Sequence, residues 1–227
     1  DWFHTTATKN DIFVAGDSGA GYVNPSLFVA GQREHSNLPD ALAAWEAFCT
    51  PFYEKFDITM TPFIMVGNTG FPDNEVLGTY AKFSPDGCSV WSYPGSYFGD
   101  KIVDDMIVTG MPNDYTVAPH KTVEENVAEL LDVVNKTYTS LPFYQVKTNI
   151  TKPSHIIEVV RRAKEQEPDI EVLDYYTFYA MYKRELQKAL CSANDQVVSA
   201  ALDTIGVVCE NYGGYRDRFP EEDTVYR

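Results

Sequence analysis

The amino-acid sequence predicts an α/β fold, a parallel β/α barrel-like domain in the form of an incomplete or reduced TIM-like barrel. Three observations lead there. Short apolar runs alternate with longer helical patterns, which is how strand–helix–strand units of a parallel sheet read in sequence. Several of these runs end in glycine-rich or polar loops, as parallel strands do at their carboxyl ends. The strand candidates number about five, short of the eight that close a (β/α)8 barrel. That shortfall leaves room for another chain or an oligomer to complete the fold.

The elements follow in order. Ile12, Phe13, Val14 and Ala15 form an apolar run that enters a loop containing Gly16, Gly19 and Gly21, so a buried strand is expected there. Residues 40–56 place Leu42, Trp45, Phe48, Phe52 and Phe56 at partly helical spacing, with Pro51 expected to kink or split the helix. Residues 62–66 read as a second strand ending at Gly67 and Asn68. Residues 71–98 are rich in turns and aromatic residues, with a turn at Pro85, Asp86 and Gly87. Residues 102–109 read as a third strand.

Thr122 followed three residues later by Glu125 is a capping box. It opens an amphipathic helix with Val123, Val127, Leu130, Leu131 and Val134 on one face. Residues 143–146 are a further strand candidate, and residues 152–164 a helix with Ile156, Ile157 and Val160 inward. Residues 170–173 are the last strand candidate. Asp174 is placed to cap a helix running to about Leu190, and another is expected over residues 195–208. Residues 1–210 are expected to form a single domain and residues 211–227 a charged tail.

Composition narrows the function. The 227 residues carry 33 acidic and 18 basic side chains, a net charge of -15. Nucleic-acid binding rewards basic patches, so that class is excluded. No apolar stretch approaches the ~20 residues of a membrane span. The four cysteines (Cys49, Cys88, Cys191 and Cys209) show no CxxC spacing; an even count allows three disulfide pairings. Asn135 and Asn149 each begin an Asn-x-Thr sequon. With the disulfide-compatible count and a start at Asp1 rather than Met, they predict a secreted glycoprotein, matured or shortened from a longer scaffold.

In parallel α/β folds the site forms where strands end. Those positions carry Asp17, Ser18, Tyr22 and Asn24; then Asn68; then Asn113, Asp114 and Tyr115. The glycine loop is neither a dinucleotide fingerprint nor a nucleophile elbow. Pro25 interrupts any helix after Gly21, and the run Gly16-Asp17-Ser18-Gly19-Ala20 does not complete the G-x-S-x-G pattern of the elbow. Asp17 and Asp114 form the best carboxylate pair, with Asp104 and Asp105 as an alternative source. Tyr22, Trp91 and Tyr115 offer stacking faces, and Asn24, Asn68 and Asn113 offer hydrogen bonds. Acidic residues flanked by aromatics suit carbohydrate. The histidines are scattered, so neither a metal site nor a cofactor is expected; a zinc set of Asp17, His35 and His120 has no spacing to support it.

The stretch from Asn10 to Pro25 resembles the naming motif of the GxGYxYP family of glycoside hydrolases. Gly19, Gly21, Tyr22 and Pro25 match; Asn24 stands where the family has tyrosine. The strand into Asn68, residues 102–109, the Thr122 helix and the Pro153 helix leading to Leu173 and Phe178 resemble its C-terminal domain. The resemblance covers residues 9–190. It implies a domain related to barrel-like glycoside hydrolases and polysaccharide deacetylases, extracellular and acting on a glycan through a carboxylate pair. Family members carry an acidic segment upstream of the loop that residues 1–10 do not resemble. Two alternatives follow: a carbohydrate-binding, lectin-like protein, and an extracellular structural or storage protein that keeps the scaffold.

Overall fold

The structure is a computed structural model and describes residues 2–33, 36–66, 70–91, 98–111, 117–135, 141–146, 148 and 150–198. The chain divides into two compact units, Asp1–Lys183 and Arg184–Arg227. In the second unit the described residues are the remainder of a helix in which Glu185 pairs with Arg184 at 3.2 Å and Lys188 at 2.7 Å.

The first unit is built on a four-stranded sheet of β1 (Met60–Ile64), β2 (Gly87–Trp91), β3 (Lys101–Val103) and β4 (Met106–Met111). The strand order is β1-β2-β4-β3, with the first two pairings parallel and β3 antiparallel to β4. The described residues therefore form an open, mostly parallel sheet and no closed barrel. Residues 13–18 extend it. Ala15 N–H donates to the Met60 carbonyl at 3.1 Å and Ser18 N–H to the Phe63 carbonyl at 2.8 Å, so this segment runs parallel beside β1. The buried strand expected at residues 12–15 is not formed: Ile12 is exposed, Phe13 and Val14 are half-buried, and the segment joins β1 through too few ladder bonds to be a regular strand.

The helices are α1 (Trp2–Thr6), α2 (Leu42–Lys55), α3 (Asn74–Ala81), α4 (Val123–Asn135), α5 (Pro153–Gln166) and α6 (Tyr175–Val198). Pro51 lies inside α2, which continues through it. Asp174 accepts from Thr177 N–H at 3.0 Å and so caps α6, as expected. α6 runs through residues 191–194, where a break was expected. Among the described residues, no helix is long and apolar enough to cross a membrane.

The sheet is covered on both faces. Cys88, Val90, Met106 and Val108 pack with Trp45, Cys49 and Tyr53 of α2 and Val76, Leu77 and Tyr80 of α3. The register slips between Thr61 and Ile64, at Pro62, which has no N–H to give a ladder. On the opposite face Ser89 and Thr109 share a hydrogen bond at 2.6 Å, and Ser89 also bonds the Tyr179 hydroxyl of α6. Gly87 begins β2 at φ +148°, where a Cβ would lie 2.8 Å from the Tyr179 ring and 3.0 Å from Ile107.

Further sequence expectations change. Residues 102–109 are not one strand but the β3–β4 hairpin, turned at Asp104 and Asp105, both at positive φ (48° and 65°). Residues 143–146 and 170–173 are not strands. Their apolar side chains are half-buried, except the exposed Val172, and pack without a ladder: Phe143 stacks on Tyr182 at 4.6 Å, while Val146 and Ile170 pack against the α4–α5 cluster. The cysteines are also not paired as expected, since no disulfide joins Cys49, Cys88 and Cys191 among the described residues; Cys209 lies outside them. Burial pushes the Cys49 thiol up to about 11, which keeps it protonated and unreactive.

α4 and α5 pack through a separate core of Val127, Leu130, Val159 and Ala163. The capping box forms as read from sequence. Thr122 N–H donates to Glu125 Oε2 at 2.8 Å, and Glu125 N–H to Thr122 Oγ1 at 3.2 Å. The Thr122 backbone N–H, and then its hydroxyl, hold the Glu125 carboxyl below its ordinary range. A depressed carboxyl stabilises the fold above the ordinary glutamate pKa, and that contribution fades as pH falls through the lowered value. Thr122→Ala is expected to cost about 1 kcal/mol at neutral pH. The loss should shrink in acid, which urea melts at neutral and acidic pH would show.

Candidate functional site at the carboxyl edge of the sheet

The glycine loop is anchored through Ser18, which is fully buried. Its hydroxyl donates to the Val23 carbonyl at 2.6 Å and accepts from Met65 N–H at 3.0 Å. Its carbonyl accepts from the buried Tyr80 hydroxyl at 2.7 Å. Ser18 thus ties the loop to the end of β1, to α3 and to itself, at a left-handed φ of 52°. Its hydroxyl is engaged in both directions, as a brace and not as a nucleophile.

The motif residues then have physical roles. Gly19 sits at φ +94° with a Cβ position only 2.7 Å from the Tyr53 hydroxyl, so both its backbone and its space require glycine. Pro25 opens a short 3₁₀ turn, Pro25–Phe28, and Asn24 is its cap, accepting from Ser26 N–H at 3.0 Å. The Asn24 amide also donates to the Val66 carbonyl. Asn24 was expected to contact substrate; its side chain instead braces the loop against the end of β1. Between these anchors the loop presents Asp17 and Tyr22. Tyr22 is 68% exposed. Asp17 is exposed, and among the described residues its carboxylate has no hydrogen-bond or ion-pair partner.

The other parallel strands end on this same edge. Trp91 closes β2, half-buried, with its ring 5.8 Å from that of Phe63. Asn68, Asn113, Asp114 and Tyr115, which follow β1 and β4 in the chain, lie outside the described residues, as do Asn149 and His35. Asn135 is exposed at the last position of α4. The alternative carboxylates Asp104 and Asp105 are not on this edge. They turn the hairpin at the start of β4, where Asp105 pairs with Lys183 at 2.8 Å.

Sequence reading missed two features of this region. Asp100 flanks the end of β4, accepting from Gly110 N–H at 2.9 Å and from the buried Tyr182 hydroxyl. Behind the edge, Gln145 Nε2 donates to Thr109 at 2.8 Å and to Tyr179 at 3.1 Å, extending the Ser89 network. Neither had a local signal, because each depends on partners far away in the chain. Among the described residues, no group of three His, Cys, Asp or Glu side chains could hold a metal ion.

A mostly parallel α/β sheet with a braced glycine loop at its carboxyl edge defines an α/β protein of the kind that carries its site on strand-end loops. The chain belongs to the family described as GxGYxYP putative glycoside hydrolase C-terminal domain, whose model matches residues 1–183. That match ends where the first compact unit ends. Glycoside hydrolysis, the activity in the family's description, implies a carbohydrate substrate. No curated protein and no solved structure matches the chain.

Proposed function

We propose that this chain is a carbohydrate-active hydrolase domain with its site at the carboxyl edge of the sheet. Asp17 and Asp114 are the proposed carboxylate pair, and Tyr22, Asn68, Trp91, Asn113 and Tyr115 the proposed sugar contacts. The observation that carries the reading is the Asp17 carboxylate, unpartnered among the described residues, beside the exposed Tyr22, on a loop held rigid by Ser18 and Asn24. A site of this kind needs its reacting groups on a firm scaffold, with an aromatic face for the sugar ring. Secretion, with glycans on Asn135 and Asn149, belongs to the same proposal; an exposed asparagine at the end of α4 is accessible to modification.

A second reading, a lectin-like module that binds without hydrolysis, is favoured by one feature. Residues 13–18 and β4 are three strand spacings apart, about 14 Å in a flat sheet. Glycosidase carboxylates lie about 5–9.5 Å apart. A glycan array followed by a hydrolysis assay on the bound glycans separates the two readings. Hydrolysis that falls at least about a hundredfold in Asp17→Asn, with binding retained, is the expected result. Binding without turnover supports the lectin-like reading, and turnover unchanged in Asp17→Asn removes Asp17 from the mechanism.

A further inference from the structure

The opposite edge of the sheet carries a cleft of about 320 Å³ lined by His4, Asp11, Ile12, Phe13, Phe56, Asp57 and Tyr176. It lies where residues 13–18 and β1 begin, whereas the glycine loop lies where they end. We propose that this cleft is a second binding site, for a compact sugar bearing a free ammonium group.

The argument starts from the rings. The His4 imidazole lies flat on Phe13, with centroids 4.3 Å apart and planes at 14°, and close to parallel with Phe56 at 5.8 Å. This stack gives the cleft a firm apolar wall. Tyr176 holds the wall in place, donating to the Phe13 carbonyl at 3.2 Å. The polar groups are then left over. Among the described residues, neither the His4 ring nitrogens nor the Asp57 carboxylate has a hydrogen-bond or ion-pair partner. Asp11 uses only Oδ2, which accepts from Thr8 N–H at 2.7 Å and from its hydroxyl at 2.8 Å. Those two bonds also hold the Asp11 carboxyl below its ordinary range, so it stays anionic.

The cleft thus offers two carboxylates, an imidazole and an aromatic wall. No three of these acids and histidines close on a metal ion among the described residues, so a bare metal ion is not the fit. The complement is an organic cation with a body broad enough to lie against the rings and hydroxyls to meet the spare acceptors. An amino sugar has these features. Its N-acetyl derivative lacks the charge that Asp57 and Asp11 would read. This site goes beyond the hydrolase reading and does not depend on it.

Glucosamine is the probe, with N-acetylglucosamine and glucose as neutral controls, titrated into the whole chain while the His4 ring resonances are followed by NMR. The expected result is saturable shifts of His4 with glucosamine at a Kd on the order of millimolar, as suits a ligand of this size. The neutral sugars should bind at least about tenfold more weakly, and added salt should weaken glucosamine binding. Asp57→Asn, an exposed and isosteric change, should reduce affinity about tenfold or more, while Asp17→Asn should leave it unchanged. The absence of His4 shifts, equal binding of glucosamine and N-acetylglucosamine, or an equal loss in Asp17→Asn would each overturn the proposal.

Discussion

Gly87→Val is expected to destabilise the first unit by about 4 kcal/mol, through backbone strain and overpacking together. Gly87 stands at φ +148°, a conformation that side-chain-bearing residues rarely adopt. Any Cβ there would enter the Tyr179 ring at 2.8 Å and meet Ile107 at 3.0 Å. Neither neighbour can yield. Tyr179 is fully buried and its hydroxyl is bound to Ser89, and Ile107 is fully buried in β4. Gly16→Ala is the matched control, because nothing lies within 4 Å of its Cβ position. Urea melts of both variants decide the matter. A Gly87→Val midpoint close to that of the wild type would mean that α6 does not press on the start of β2.

Ser18→Ala is expected to cost about 2–3 kcal/mol, because it leaves the Val23 carbonyl and Met65 N–H without their partner. Ser18→Gly removes the same bonds but also relieves the left-handed φ of 52°. It should therefore be about 1 kcal/mol more stable than Ser18→Ala. Glycine outranking alanine at a buried position reverses the usual order. If the two variants melt in the usual order, the loop conformation is not the one described. Tyr80, which donates to the Ser18 carbonyl, remains in both variants, so the comparison isolates the hydroxyl and the backbone.

Helices were the legible part of this sequence. The Thr122–Glu125 box and the Asp174 cap work through residues three apart, so the sequence carries their whole geometry. Strands were harder, because a ladder depends on partners far along the chain. β2 was hidden by its composition: buried Ser89 looks like a turn residue until Thr109 and Tyr179 supply its hydrogen bonds. Residues 102–109 hid a reversal, since two aspartates at positive φ make a hairpin without the usual glycine. α3 escaped notice because it is short and holds Gly78.

The glycine loop was legible as a place but not as a mechanism. Gly19, Tyr22 and Pro25 marked it, yet nothing local told that Asn24 would reach across to Val66 or that Ser18 would be buried. Asp100 was invisible for the same reason, because Gly110 and Tyr182 give it its setting.

The two rims of the sheet have a consequence for how the protein behaves in a crowded solution. An open sheet edge is a template for another chain. One rim here is β3, three residues long and opening with Lys101, whose charge resists a flat neighbour. The other is the segment 13–18, which makes two ladder bonds with β1, has its Phe13 carbonyl taken by Tyr176, and bends away at Ser18. Among the described residues, neither rim offers a long, straight row of free amides. The bend that presents Asp17 and Tyr22 also makes the sheet a poor seed for aggregation.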